Sequence, residues 1–243
     1  MVVLFIVAWQ VYVVVFRIPS YLIPTPVSIF YTLISPSHAW LSNSWTTFYE
    51  TVAGFALAAV IGLPLSIGLM YSTWFSRVAY PIILFFQVIP KIALAPLIFI
   101  LMGFGIIPRI VVTFLVAFFP IIIDTLAGLN SLEPDYVDLL RSLGSSNYQI
   151  FTMARLQNAL PQMFSGFKVS ITLALVGAVV AEFVQANSGL GYILLEAMSF
   201  GSSVTAFASI VLLSIIGVGL FLIFVILERL TTGWYVRSKA VRR

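Results

Sequence analysis

Ser131-Leu132-Glu133-Pro134-Asp135-Tyr136-Val137-Asp138-Leu139-Leu140-Arg141-Ser142-Leu143-Gly144-Ser145-Ser146-Asn147-Tyr148-Gln149-Ile150-Phe151 lies in the longest polar interruption of an otherwise apolar chain. Its first half reads as a helix start, with Ser131 as cap, proline in the first turn, and Glu133 and Asp135 at the positive end of the dipole. Val137, Leu140 and Leu143 then recur at helical spacing. Gly144 is placed to stop that helix, because glycine enters the left-handed conformation without a Cβ clash. Ser146-x-x-Gln149 is a capping-box pattern that opens a second helix, with Ile150, Phe151 and Ala154 on one face. Pro161 then begins the next apolar run. The expectation across residues 130–160 is a helix, a glycine turn and a second helix, held outside the medium that surrounds the rest.

That medium is a bilayer. Of 243 residues, 61% are hydrophobic and 8% charged, against about 45–50% and 25% in soluble domains. A soluble globular domain and a disordered chain are both excluded. A spanning helix needs about 20 mostly apolar residues. Six stretches are candidates: 2–16, 46–70, 78–102, 106–129, 162–184 and 204–227. Their apolar runs are continuous rather than alternating, which favours helices over barrel strands. The first run is short and lacks the basic leader and cleavage site of a signal peptide. We read it as a retained helix whose beginning lies upstream of Met1.

Basic residues set the orientation. Arg17 and Arg109 fall on one side, and Arg77, Arg141, Arg155, Arg229, Arg237, Lys239, Arg242 and Arg243 on the other. The second side is expected in the cytoplasm with both termini, and residues 237–243 form a basic stop against the inner leaflet. Pro64, Pro81, Pro90, Pro96 and Pro120 all interrupt apolar runs. Mid-helix proline removes a backbone bond, and three of them within 78–102 point to a functional distortion.

The insert between the fourth and fifth runs is suited to docking in a partner's groove. The same periodicity also fits a pair that merely caps the bundle. A nucleic-acid helix-turn-helix fails on charge, since Glu133, Asp135 and Asp138 offset Arg141 and Arg155. Lys91 and Glu182 stand inside apolar runs, where a charge costs about 2.5–3.5 kcal/mol on insertion scales. Lys91 either lines a path for an anionic or polar solute, or snorkels or pairs with Glu182 as scaffolding. Their depths differ by roughly 10 Å at 1.5 Å per residue. Glu182 either contacts solute or bonds the backbone of the turn Gly189-Leu190-Gly191, which precedes a short re-entrant segment at 192–199. Asp124 and Glu228 are expected at the cytoplasmic interface. The chain has no cysteine and a single histidine, His38, read as an interfacial residue beside Trp40 and Trp45. No metal cluster of thiolates or histidines can be built, and no catalytic constellation is visible.

Tyr136 to Gly144, with Gln149-Ile150-Phe151 and Leu156, resembles the cytoplasmic signature loop of ABC-importer permeases. Ile89-Pro90-Lys91-Ile92-Ala93-Leu94-Ala95-Pro96-Leu97, Phe118-Phe119-Pro120, Gly177 to Phe183 and Ser188-Gly189-Leu190-Gly191-Tyr192 extend the likeness. It is to the subfamily importing nitrate, sulfonates, taurine and thiamine-pyrimidine or riboflavin-type precursors. Asp138 stands where the family has glutamate, Leu139 and Leu140 where it has alanines, and Gln157 where it has proline. Gly144 and Leu156 are retained. The bulkier leucines imply a differently shaped groove in the partner.

The resemblance implies an all-α membrane protein of the type I importer kind, one permease domain over 1–243 with its family-like core at 46–228. It implies ATPase coupling through Asp138, Arg141, Ser142, Leu143, Gly144 and Leu156. Pro90, Lys91 and Glu182 fall to the translocation path, and Gly189 and Gly191 to the external turn. The implied partners are an ABC ATPase, an extracytoplasmic substrate-binding protein, a second permease copy and the bilayer. ATP and magnesium are expected on the ATPase, because no G-x-x-x-x-G-K-[ST] loop exists here; the permease itself needs no cofactor and is not an enzyme. The rivals are an ATP-independent secondary transporter or channel, which predicts internal repeats, and a membrane-embedded enzyme.

Overall fold

The computed structural model describes residues 1–35, 38–184 and 187–233. The basic ending at 237–243 lies outside the described residues. Among those described, all regular structure is helical. The chain runs α1 (Val2–Val15), α2 (Pro26–Ile34), α3 (Trp40–Tyr71), α4 (Thr73–Val88), a 3₁₀ turn (Lys91–Leu94), α5 (Ala95–Met102) and α6 (Ile106–Asn130). It continues through α7 (Pro134–Ser142), α8 (Asn147–Gln149), a π segment (Ile150–Arg155), α9 (Leu156–Val184), α10 (Leu190–Ser199) and α11 (Ser203–Thr231).

The six expected spans resolve into three kinds. Among the described residues four helices are long and apolar enough to cross a membrane: Trp40–Tyr71, Ile106–Asn130, Asn147–Val184 and Ser203–Thr231. The third expected span is broken, its halves Thr73–Val88 and Lys91–Met102 meeting at 83°. Pro90 causes the break: the residue before a proline is driven out of the helical region, and Ile89 is extended at ψ 129°. The first expected span is the 14-residue α1, about 21 Å long and short of the roughly 30 Å hydrocarbon core.

Inside a bilayer, apolar side chains gain little by leaving lipid for one another, so helices associate through close packing. The centre of this bundle follows that rule. α6 is sandwiched between α3 and α9, with half of its most apolar window buried, against 11% for α11. A Cβ on Gly177 would come within 2.9 Å of Thr113 Cα, and one on Gly54 would overlap the Thr113 side chain. Larger residues would wedge the three helices apart. Phe55, Ala58, Ala117, Ile121, Ile171 and Ala174 fill the seam.

α2 was not anticipated. Thr25 caps it, accepting from the Ser28 amide at 3.2 Å, with Pro26 in the first turn. Its Ile29 packs with Trp40, Leu190, Ile193 and Ala208, which binds α2, α10 and α11 into one end of the bundle.

Candidate functional site

The insert lies at one end of the bundle. In α7, Val137 is buried, while Tyr136, Leu139 and Leu143 are 58%, 55% and 73% exposed. An apolar face thus points away from the bundle. The helix ends in a Schellman arrangement: Gly144 donates to the Arg141 carbonyl at 2.9 Å and Ser145 to the Leu140 carbonyl at 3.0 Å. Gly144 sits at φ +82°, where a side chain would be strained. The capping box is formed from both sides. The Gln149 amide donates to Ser146 Oγ at 3.3 Å and the Ser146 amide to Gln149 Oε1 at 2.8 Å.

Two local expectations are corrected. The residue preceding α7 is Glu133, with no side-chain cap. Ser131 instead closes α6, donating to the Gly128 carbonyl at 2.7 Å and accepting from Asn158 at 2.8 Å. Nor is the second insert helix separate from the fifth span: Asn147–Val184 is one 38-residue helix, and Pro161 lies inside it. A six-residue π segment, Ile150–Arg155, interrupts the regular ladder more than a turn before that proline without ending the helix.

Asp138, Arg141, Ser142, Leu143 and Gly144 are brought together and exposed on α7 and its turn. Asp138 and Arg141 pair at 3.4 Å in solvent, a contact worth about 0–1 kcal/mol. Leu156 is placed apart from them, half-buried against the cluster of Leu129, Ala159 and Met163.

A second constellation lies at the opposite end, some 39 Å along α9 at 1.5 Å per residue. Glu182, 1% exposed, holds the start of α10. Its Oε2 accepts the Gly191 amide at 2.6 Å and its Oε1 bonds the Thr47 hydroxyl at 2.7 Å. Thr47 Oγ1 accepts the Leu190 amide at 2.9 Å, and Asn43 Oδ1 accepts the Gly189 amide at 2.7 Å. Helix starts leave unpaired amides, and here side chains from α3 and α9 supply the acceptors that α10 lacks. Gly189, at φ +110°, has no room for a Cβ against the Glu182 carboxylate.

Beside this cap is a buried ion pair, Glu50 with Arg109 at 2.8 Å, their side chains 0% and 12% exposed. Glu50 Oε2 and Arg109 Nε have no hydrogen-bond partner among the described residues. Sequence reasoning missed Glu50 and counted Arg109 only as a base on the external side. The signal was present: Asn43, Thr47 and Glu50 form a polar stripe at helical spacing, which a span begun at residue 46 cuts in two.

Lys91 is held elsewhere. Its ammonium donates to the Gln87 carbonyl at 3.0 Å and lies 4.7 Å from the Phe119 ring centroid, a contact worth about 0.5–2 kcal/mol. Phe119 is roughly 15 Å along α6 from Arg109. Among the described residues no ion pair joins Lys91 to Glu182. Nearer the insert end, Lys168 pairs with Glu228 at 2.8 Å and Asp124 accepts from Gln162 at 3.0 Å; at the α10 end, His38 stacks on Trp40.

Residues 54–233 match the family described as binding-protein-dependent transport system inner membrane component. The chain is 33% identical over 215 residues to the formylaminopyrimidine transport permease protein ThiX of Halalkalibacterium halodurans, covering 88% of this chain and 86% of that one. It is 29% identical to the riboflavin transport system permease protein RibX of Chloroflexus aurantiacus, over 95% of this chain and 87% of that one. In fold it is similar to a chain of the inward-facing MetNI methionine ABC transporter, with a TM-score of 0.71 and 22% identity, over 82% of this chain and all of the other.

Proposed function

Because the chain belongs to the binding-protein-dependent inner membrane components, the permeases of ABC importers, we propose that it moves a small polar or anionic organic solute by alternating access driven by a separate ATPase. The solute is of the thiamine-pyrimidine, riboflavin-precursor, sulfonate, taurine or nitrate kind; the transport names carried by two relatives support the heterocyclic end of that range. The observation that carries the reading is the exposed face of Tyr136, Leu139 and Leu143, joined through a locked glycine turn to a 38-residue helix.

Such an arrangement is a lever. A groove in the ATPase grips α7, and ATP and magnesium stay in that subunit. The Schellman turn and capping box keep α7 from hinging freely, so its displacement passes into the helix Asn147–Val184, about 57 Å long at 1.5 Å per residue. That helix ends at Glu182 and the α10 cap, where a binding protein would deliver solute. Rigid elements coupled to a bistable bundle are the general form of such switches. In this reading Pro90 and Lys91, at the break between Thr73–Val88 and Lys91–Met102, line the path, with a second copy of the chain closing the other side. The whole of 1–243 acts as one permease domain, with the insert and both termini in the cytoplasm.

Co-purification and uptake test this together. Co-expressed with its cognate ATPase, the tagged chain should retain that subunit, and proteoliposomes should accumulate solute only with ATP and binding protein. Solute movement by the chain alone would establish an ATP-independent transporter or channel instead.

A further inference from the structure

Behind the outward face of α7 lies a cavity of about 260 Å³, bounded by Met70 and Tyr71 of α3, Val137 and Arg141 of α7, and Phe151 and Arg155 of the π segment. Its charge balance is one-sided. The Arg155 guanidinium meets the Met70 sulfur at 3.3 Å and the Leu129 carbonyl at 3.4 Å. Among the described residues no carboxylate pairs with it. Arg141 has Asp138 at 3.4 Å, but that acid's side chain is 73% exposed, so water screens most of the attraction. A guanidinium carries five N–H donors, and most of those on Arg155 remain unused. Two cations therefore face one cavity with donors to spare.

Depth decides which anion fits. Tyr71 and Trp74, at the corner between α3 and α4, are 55% and 74% exposed, as amphipathic rings are at the headgroup level of a bilayer. The cavity starts at that corner, and Val137 and Phe151 give it an apolar floor. We propose that it binds the phosphate of an anionic lipid headgroup from the leaflet on the insert side, held by Arg155 and Arg141. Basic pockets between membrane helices are an established form of headgroup recognition. A carboxylate of a docked protein fits less well, because the accessible side of α7 is the opposite one, with Tyr136, Leu139 and Leu143. The bound lipid would tie the insert to the end of α3 whether or not an ATPase is present.

Native mass spectrometry of the full chain, in mild detergent with equal phosphatidylglycerol and phosphatidylcholine, tests the site. One phosphatidylglycerol per chain should survive activation that strips phosphatidylcholine. Arg155→Gln and Arg141→Gln should each lower its retention about five-fold, as expected for loss of one base near a lipid surface, while Arg155→Lys should keep most of it. Arg141→Gln, on the exposed α7, remains informative if Arg155→Gln fails to fold. Equal retention of the two lipids overturns the proposal, as does retention unchanged by either glutamine variant. Displacement of the lipid by millimolar inorganic phosphate would assign a soluble anion, and displacement by a docked ATPase a protein carboxylate; either result also overturns it.

Discussion

Glu182 and Gly191 belong to different helices, yet the carboxylate of the first accepts the backbone amide of the second at 2.6 Å. The bond fixes where α10 starts and ties it to the far end of the helix that begins at the insert. Motion of that helix therefore cannot leave α10 behind unless this bond and its neighbours to Thr47 and Asn43 break.

Glu182→Ala should unlatch α10. Removing the acceptor strands the Gly191 amide and empties the carboxylate's space, at a cost of about 1–3 kcal/mol for the unsatisfied group. A lower melting temperature in detergent is the expected reading, with Glu182→Gln intermediate because its amide oxygen can still accept. A melting curve unchanged in Glu182→Ala would mean that the cap contributes nothing.

Glu50 and Arg109 invite a double-mutant cycle. Taking away one partner of a buried pair costs about 3–5 kcal/mol, because the other charge is left uncompensated, whereas replacing both by apolar residues costs much less. Arg109→Met and Glu50→Leu should each destabilise strongly, and the double variant should recover most of the loss. Additive effects in thermal unfolding would show that the two do not act as a pair.

Gly144→Val tests the lever. Valine at φ +82° is strained by roughly 1–3 kcal/mol, so the turn should rearrange and re-aim α7. The spans should still insert, as judged by protease protection, while ATP-driven uptake falls at least ten-fold. Wild-type uptake in this variant would remove the turn from the mechanism.

For Lys91 the question is whether its charge meets solute. Lys91→Ala should weaken uptake of anionic substrate several-fold and leave the melting temperature nearly unchanged, since the residue's contacts are one carbonyl and one ring face. Lys91→Arg should restore uptake. Equal rates for all three chains would leave the lysine a scaffolding role.

Much of this architecture is legible in the chain itself, and the limits of legibility are physical. Gly144, Ser146 and Gln149 announce their turn and cap because every partner lies within a few residues. Pro90 announces the break in the third span for the same reason. Ser131 misleads because two nearby helix ends compete for its hydroxyl, and Asn158, across the insert, decides the contest. Pro161 misleads because the helix runs through it, with Ala159 and Met163 on either side buried against Leu129 of α6.

By itself the sequence determined the solvent of the fold, the order of its apolar runs, the place of its one exposed insert and the turn within it. Those depend on composition and on interactions spanning a turn or two of helix. Only the tertiary structure decided that Thr47 meets Glu182, 135 residues away, and that Asn43 meets Gly189, 146 residues away. A polar side chain in an apolar run must find a partner, but which one depends on how helices α3, α6 and α9 seat against one another, and small residues such as Gly54 and Gly177 set that approach.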